Sequence, residues 1–179
     1  SNAACPAQVQ QRLEHFASRG AMDIRGIGEQ MSTMLLKEGL VRDVSDLYYL
    51  KKEDLLKLER MADKSASNII EAIDNSRNRP LARFIFALGI RHIGEETAEL
   101  LARHFSSIDE LANASREDLL AIPTIGPKIA DSITAFFRQE ENRNIIRRLK
   151  ESGVRLEEEA TRSKELPLSG KEFVITGRL

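Results

Sequence analysis

Bends marked by glycine and followed by helices are the segments of this chain best suited to chemistry. The first bend, 24–28, places Gly26 and Gly28 beside two isoleucines that lie three residues apart. Glycine lets the backbone turn tightly and lets another molecule approach it closely. The next residues, Glu29–Lys37, have helical periodicity, and the start of a helix presents unpaired N–H groups and a partial positive charge. Such a bend is suited to binding a phosphate.

The same bend recurs three more times at nearly constant spacing. The first, second, third and fourth hairpins are segments 24–28, 58–62, 90–94 and 122–126, which start 34, 32 and 32 residues apart. In each copy the first and fourth residues are aliphatic or Met, and the ninth is small: Ser32, Ala66, Ala98 and Ala130. Repeats of this length are supersecondary units that bury a core by packing on their neighbours.

A longer duplication groups the hairpins into pairs. Segment 53–56, Glu-Asp-Leu-Leu, recurs 64 residues later as 117–120. The sequence therefore predicts an all-α fold of four tandem units, each a helix, a hairpin and a helix, arranged as two duplicated pairs.

The hairpins carry the candidate binding residues. We expect the glycines to offer backbone N–H groups, and these are Gly26, Gly28, Gly94 and Gly126. Polar and cationic neighbours would add contacts to phosphates, and these are Arg25, Arg60, Lys64, Arg91, His92, Thr124 and Lys128. No nucleophile with a neighbouring base and no lysine-containing phosphate loop occurs, so nothing in the sequence argues for catalysis.

The second hairpin departs from the pattern. Arg60 and Ala62 stand where the first hairpin has its two glycines. Two interpretations are open: the second hairpin is a poor phosphate site that Arg60 partly restores, or it only packs against the others.

The overall charge is the strongest objection to a nucleic-acid partner. With 27 Lys and Arg against 28 Asp and Glu, the net charge is −1, whereas a typical nucleic-acid binder has a basic patch or stripe. Acidic residues also flank the hairpins, so the cations there could simply be solvated surface charges. Binding through backbone amides, however, needs fewer cations than binding through lysines.

Composition excludes several other classes of protein. No apolar run approaches the ~20 residues of a membrane helix, and aromatic residues make up 5 % with no Trp, which is too few for a protein that stacks single-stranded bases. The single cysteine, Cys5, excludes an internal disulfide. It does not cluster with a histidine, so the chain alone supports no metal site.

The sequence also predicts several elements outside the hairpins. We expect a short helix from 44 to 58 and a helix opened by a capping box of Ser107 and Glu110. The charged stretch 154–167 is typical of a linker. Residues 173–176 have the pattern of a lone β-strand, and we expect it either to belong to a domain that the chain does not complete or to be disordered.

The order of these features resembles the C-terminal part of bacterial NAD-dependent DNA ligases over residues 4–179. The hairpin units look like helix-hairpin-helix motifs, and segment 82–94, ARFIFALGIRHIG, is the most specific match. Segment 5–8, CPAQ, is similar to the end of the family's four-cysteine zinc module, and 168–179 resembles the first strand and loop of a BRCT domain.

The resemblance implies a domain order and a set of cofactors. Residues 1–3 would be a scar of tag cleavage, 4–10 a remnant of the zinc module, 11–153 the DNA-binding domain, 154–167 the linker and 168–179 the BRCT strand. Cys5 would be the fourth zinc ligand only in the intact enzyme, which would also use NAD and magnesium. The fragment itself would hold no cofactor and have no activity.

The resemblance also implies partners and a location. The partners would be double-stranded DNA, preferably nicked, and other domains of the same chain, in the bacterial cytoplasm. Two alternatives remain: a repair nuclease or Holliday-junction-binding protein with the same tandem hairpins, or a helical protein-association module.

Overall fold

The computed structural model describes residues 5–158, and nearly all of its regular structure is helical. Two short 3-10 helices, Val44–Tyr49 and Ser76–Asn78, lie between the longer elements. The α-helices of the described residues are α1 (Pro6–Ala17), α2 (Glu29–Lys37), α3 (Lys52–Leu56), α4 (Asp63–Asn75), α5 (Leu81–Ala87), α6 (Glu95–His104), α7 (Ile108–Ala112), α8 (Arg116–Leu120), α9 (Pro127–Arg138) and α10 (Glu140–Glu151).

Each hairpin connects two helices that pack against each other. The first hairpin joins α1 to α2, the second α3 to α4, the third α5 to α6, and the fourth α8 to α9. The small ninth residues lie at these contacts, and each is at most 1 % exposed. A larger side chain there would hold the two helices apart, because a close-packed interior does not absorb extra volume.

The duplication seen in the sequence is present in the elements. α3 and α8 are each five residues long and their equivalent residues lie 64 positions apart. In both, an aspartate of the first turn, Asp54 or Asp118, accepts a bond from the backbone N–H of the residue that precedes the helix. At α8 the bond is reciprocated, since Ser115 Oγ accepts from the N–H of Asp118. The two halves of the chain are therefore built to one plan.

Contacts between the halves make one continuous core. α5 packs on α1, and His15 Nε2 lies 2.7 Å from the carbonyl oxygen of Phe86. α10 packs on the 3-10 helix Val44–Tyr49, where Arg148 donates to Ser45 Oγ at 2.8 Å and to Asp46 Oδ1 at 2.7 Å. The positions of the hairpins relative to one another are set by this shared packing.

The helix predicted within 44–58 is wrong as a single element. The 3-10 helix Val44–Tyr49 ends at Leu50, whose backbone is extended, and α3 begins two residues later. Asp43 caps the first piece and Asp54 caps the second. These side-chain acceptors favour two short helices over one long one, because each satisfies the N–H groups of its own start.

The helical domain extends beyond its predicted end at 153. Val154 and Leu156 are buried, the N–H of Ile108 donates to the Leu156 carbonyl at 2.8 Å, and Ser107 pairs with Glu157 in an isolated antiparallel bridge. Residues 154–158, predicted as the start of the linker, thus pack on the domain. The predicted scar at 1–3, the rest of the linker and the strand at 173–176 lie outside the described residues.

Candidate nucleic-acid interface

All four hairpins have the same backbone geometry. The N–H of the fourth residue donates to the carbonyl of the first at 3.1–3.3 Å, which closes a tight turn. The third residue has a positive φ in every copy: 98° at Gly26, 66° at Arg60, 71° at His92 and 75° at Thr124. A positive φ at the third of four residues is the signature of a type II turn. The repeat thus preserves a conformation even where it does not preserve glycine.

The helix that follows each hairpin begins without a side-chain cap. The fifth residue, Gly28, Ala62, Gly94 or Gly126, occupies the N-cap position, and none of the four has a side chain that can accept a bond from the first-turn N–H groups. Among the other helices, Ser107 caps α7 and Ser115 caps α8, whereas α1, α5 and α10 begin without a side-chain cap. Every hairpin therefore leads into a helix whose first-turn N–H groups are open to an external acceptor.

The Ser107 and Glu110 pair confirms only half of the predicted capping box. The serine caps the helix as expected, but the Glu110 carboxylate accepts from the N–H of Ser106 rather than of Ser107. The predicted helix start is nevertheless correct.

At three of the hairpins, neither the backbone angle nor the packing of the described residues requires a glycine at the fifth position. The φ values of these glycines, −102° at Gly28, −94° at Gly94 and −93° at Gly126, are open to any residue. A Cβ placed on any of the three would meet nothing within 4 Å. Space that none of residues 5–158 fills, in front of uncapped N–H groups, fits an external partner that comes close to the backbone.

Gly26 is glycine for a different reason. Its φ is positive, and a Cβ would lie 2.8 Å from Cγ1 of Ile69 in α4. This glycine lets the first hairpin lie directly on the second unit of its pair.

The predicted side-chain contacts are exposed at the tips of the hairpins. The exposed residues are Arg25, Arg60, Lys64, Arg91, His92, Thr124 and Lys128. Acidic residues share the first helical turn in three units, as Glu29 does in α2, Asp63 in α4 and Glu95 in α6. The first turn of α9 has no acidic residue and carries Lys128, so the fourth hairpin is electrostatically the most favourable for an anion.

The structure brings residues of the first and second hairpins together around one cleft. Arg25 and Gly26 line it from one side and Arg60 from the other. Sequence reasoning missed the remaining lining, which consists of Met31, Met61, Ser65, Asn68 and Ile69. The available signal was the methionine at the fourth position of the second hairpin, where the other copies have isoleucine.

An ion pair within the protein partly neutralises the acidic residue at the start of α4. Lys52 Nζ lies 2.7 Å from Asp63 Oδ1, at the first residue of α4. Ala62 replaces the glycine at this N-cap, so a methyl group stands where the other hairpins are bare. The methyl group weakens backbone capture of an anion at the second hairpin, although the ion pair of Lys52 with Asp63 reduces the repulsion there.

Arg79 and Arg83 bond to the loop that leads to the first hairpin. Arg79 Nε donates to the Met22 carbonyl at 2.7 Å, and Arg83 Nε donates to the Ala21 carbonyl at 2.7 Å. These bonds satisfy carbonyls in the loop between α1 and the hairpin and hold that loop in place. Both guanidiniums thus serve structure.

Cys5 stands apart from the hairpins, exposed at the N-cap of α1. Residues 5–158 contain no group of three or more His, Cys, Asp or Glu side chains that could hold a metal ion. Since structural zinc requires about four ligands, a site at Cys5 would need ligands from another part of the protein.

The helices of residues 5–158 are too short or too polar to cross a membrane.

Comparison with known families matches both halves of this geometry. A family described as a SAM-like helix-hairpin-helix tandem matches residues 19–75, which contain the first and second hairpins. A family described as the helix-hairpin-helix motif matches residues 83–146, which contain the third and fourth. The chain carries helix-hairpin-helix motifs. Their pairing in these matches agrees with the duplication described above.

Similar proteins share the whole length of the helix-hairpin-helix region. A protein named DNA ligase from Dehalococcoides mccartyi strain CBDB1 is 57 % identical over 100 % of this chain and 27 % of its own length. DNA ligases from Syntrophotalea carbinolica and Halothermothrix orenii are each 54 % identical over 98 % of this chain and 26 % of their own. The chain thus spans about a quarter of the length of these curated relatives.

Proposed function

We propose that this chain is the double-stranded DNA-binding module of an NAD-dependent DNA ligase. The observation that carries the proposal is the row of exposed, uncapped helix starts at glycine-marked turns, in a chain whose relatives are DNA ligases. All four hairpins count as helix-hairpin-helix motifs in this proposal. They would hold phosphates on both sides of a minor groove, one pair of hairpins to each side.

The proposed recognition is independent of sequence. Backbone N–H groups and cations such as Arg91 and Lys128 reach phosphates, which position a protein on DNA but carry no base information. Apart from His92, the side chains at the hairpin tips include no aromatic residue that could stack on a base. The module would therefore grip any duplex and leave the recognition of a nick to other domains.

In the intact protein, the module would hold the two sides of a nick while other domains seal it. Transfer of AMP from NAD to the 5′-phosphate, with magnesium, would belong to those domains. Zinc would be bound there too, with Cys5 as one of four ligands. A bacterial cytoplasmic setting completes the proposal.

A binding assay with three DNA molecules of equal length tests the proposal. Fluorescence anisotropy would compare nicked duplex, intact duplex and a four-way junction over a series of salt concentrations. If about four to six phosphates are neutralised, log affinity falls with log salt at a slope of roughly −4 to −5. A flat salt response would contradict phosphate binding.

The same assay separates the alternatives. A strong preference for the junction over nicked duplex would favour a nuclease or junction-binding accessory. Concentration-dependent oligomers without affinity for any of the three DNA molecules would favour a protein-association module.

A further inference from the structure

The cleft between the first and second hairpins combines charge with an apolar floor. It has a volume of about 480 Å³, and its walls carry Arg25 and Arg60. Met31, Met61 and Ile69 contribute its apolar surface, and Ser65 and Asn68 supply hydroxyl and amide groups. Hairpins that contact DNA only at their tips have no use for such a recess.

The two arginines have no partner of their own in this structure. None of the salt bridges among the described residues involves Arg25 or Arg60, and both side chains are exposed. Two cations at the mouth of one cleft attract an anion more strongly than either does alone. A guanidinium also binds a phosphate through two parallel bonds, which a lysine cannot do.

The apolar floor indicates what accompanies the anion. Met31 and Met61 are half-buried, and their flexible thioethers adapt to the shape of a ligand. Gly26 adds no side chain to the lining of the cleft, and any side chain there would meet Ile69. A phosphate flanked by a sugar ring presents a charged group and a weakly polar face to such a surface.

We propose that this cleft binds one sugar-phosphate unit of the DNA backbone, with a single phosphate shared by Arg25 and Arg60. The inference rests on the proposed function and adds a contact that backbone amides do not make. It also gives the second hairpin a role: Arg60 contributes a cation where the methyl group of Ala62 weakens amide capture. At the equivalent position the fourth hairpin has Thr124, so the second pair lacks this shared cation.

A double-mutant cycle tests the sharing. Arg25→Gln, Arg60→Asn and the double variant would be compared with the unaltered chain for affinity to nicked duplex. Asn suits position 60 because it tolerates a positive φ better than most residues. If one phosphate is shared, the double variant binds about as weakly as the weaker single variant, and its salt slope falls by about 1.

If the affinity losses of the two single variants multiply in the double variant, and its salt slope falls by about 2, each arginine binds a separate phosphate. That result would overturn the proposal. An unchanged affinity of Arg60→Asn would mean that the second hairpin only packs. If the proposed DNA-binding function itself is wrong, the result is different: the unaltered chain shows no salt-dependent binding to any duplex.

The methionine methyl groups provide an independent measurement. The chain has four methionines, of which Met31 and Met61 line the cleft while Met22 is buried at 1 % exposure. With methyl-labelled methionine, addition of nicked duplex should shift the NMR signals of Met31 and Met61 and leave that of Met22 in place. Unmoved signals from both cleft methionines, in a protein that binds DNA, would overturn the proposal.

Discussion

Ile69 lies directly beneath Gly26, so close that a Cβ on the glycine would come within 2.8 Å of Ile69 Cγ1. This contact joins the first hairpin to α4, the helix after the second hairpin. It fixes the geometry of the cleft between them and makes Gly26 unlike the other hairpin glycines.

Exchange of glycine for alanine should separate the two kinds of glycine. Gly26→Ala forces a side chain onto a φ of 98° and into Ile69, and should lower the free energy of unfolding by about 1–3 kcal/mol. Gly28→Ala is the matched control, because its φ is negative and its surroundings are open; only the weaker capping by alanine, about 0.5 kcal/mol, applies. Urea denaturation measures both. Equal losses would contradict this assignment.

The turn conformation was the part of the hairpins that the sequence could not reveal. The positions of the turns follow from the spacing of aliphatic residues, and the small ninth residues indicate the close packing. Arg60, His92 and Thr124, however, give no hint that they adopt the positive φ of a glycine. The surrounding packing imposes this conformation against the preference of each side chain.

Thr124 is the most strained of these three residues. Its φ of 75° is unfavourable for a β-branched side chain, so Thr124→Gly should raise the free energy of unfolding by about 1 kcal/mol. Thr134→Gly, within α9, is the control and should destabilise instead, because glycine is unfavourable inside a helix. A thermal unfolding scan distinguishes the signs. Destabilisation by Thr124→Gly would mean that the threonine side chain makes contacts worth more than the strain.

The stability of the contact between α10 and the 3-10 helix Val44–Tyr49 should depend on pH through Asp46. Burial by itself would raise the pKa of Asp46, but the N–H of Arg42 and the guanidinium of Arg148 together hold it below the ordinary value of 3.8. The charged carboxylate therefore stabilises the fold above pH 3.8, and this contribution is lost as the pH falls through the lower folded pKa.

Arg148→Met tests that dependence. It removes the bonds to Ser45 and Asp46, and because the pair is partly exposed it should cost only about 1 kcal/mol at neutral pH. The difference in unfolding free energy between this variant and the unaltered chain should shrink below pH 3.8. Urea denaturation at several pH values measures it, and a difference independent of pH would contradict the role of Asp46.

The boundaries of the domain were harder to predict than its repeats. The charged residues after Val154 have the composition of a linker, yet Leu156 is 7 % exposed and its carbonyl accepts a bond from Ile108. One buried leucine among acidic residues gives too weak a pattern to reveal docking. The cleft was missed for a similar reason, because its lining residues come from two units that are distant in sequence.

If the uncapped N–H groups at the hairpins bind DNA phosphates, substitution of Gly126 should change stability and DNA affinity in opposite directions. Aspartate is a good N-cap residue, so Gly126→Asp should raise the free energy of unfolding by a few tenths to about 1 kcal/mol as its carboxylate accepts bonds from the first turn of α9. It would also place a negative charge where a phosphate should bind, and Gly126→Asn provides a neutral cap for comparison.

The decisive measurement is the affinity of Gly126→Asp for nicked duplex, taken beside its stability. We expect Gly126→Asp to give a more stable protein that binds DNA at least tenfold more weakly, with Gly126→Asn intermediate. Unchanged affinity in a folded Gly126→Asp variant would contradict phosphate capture by these amides.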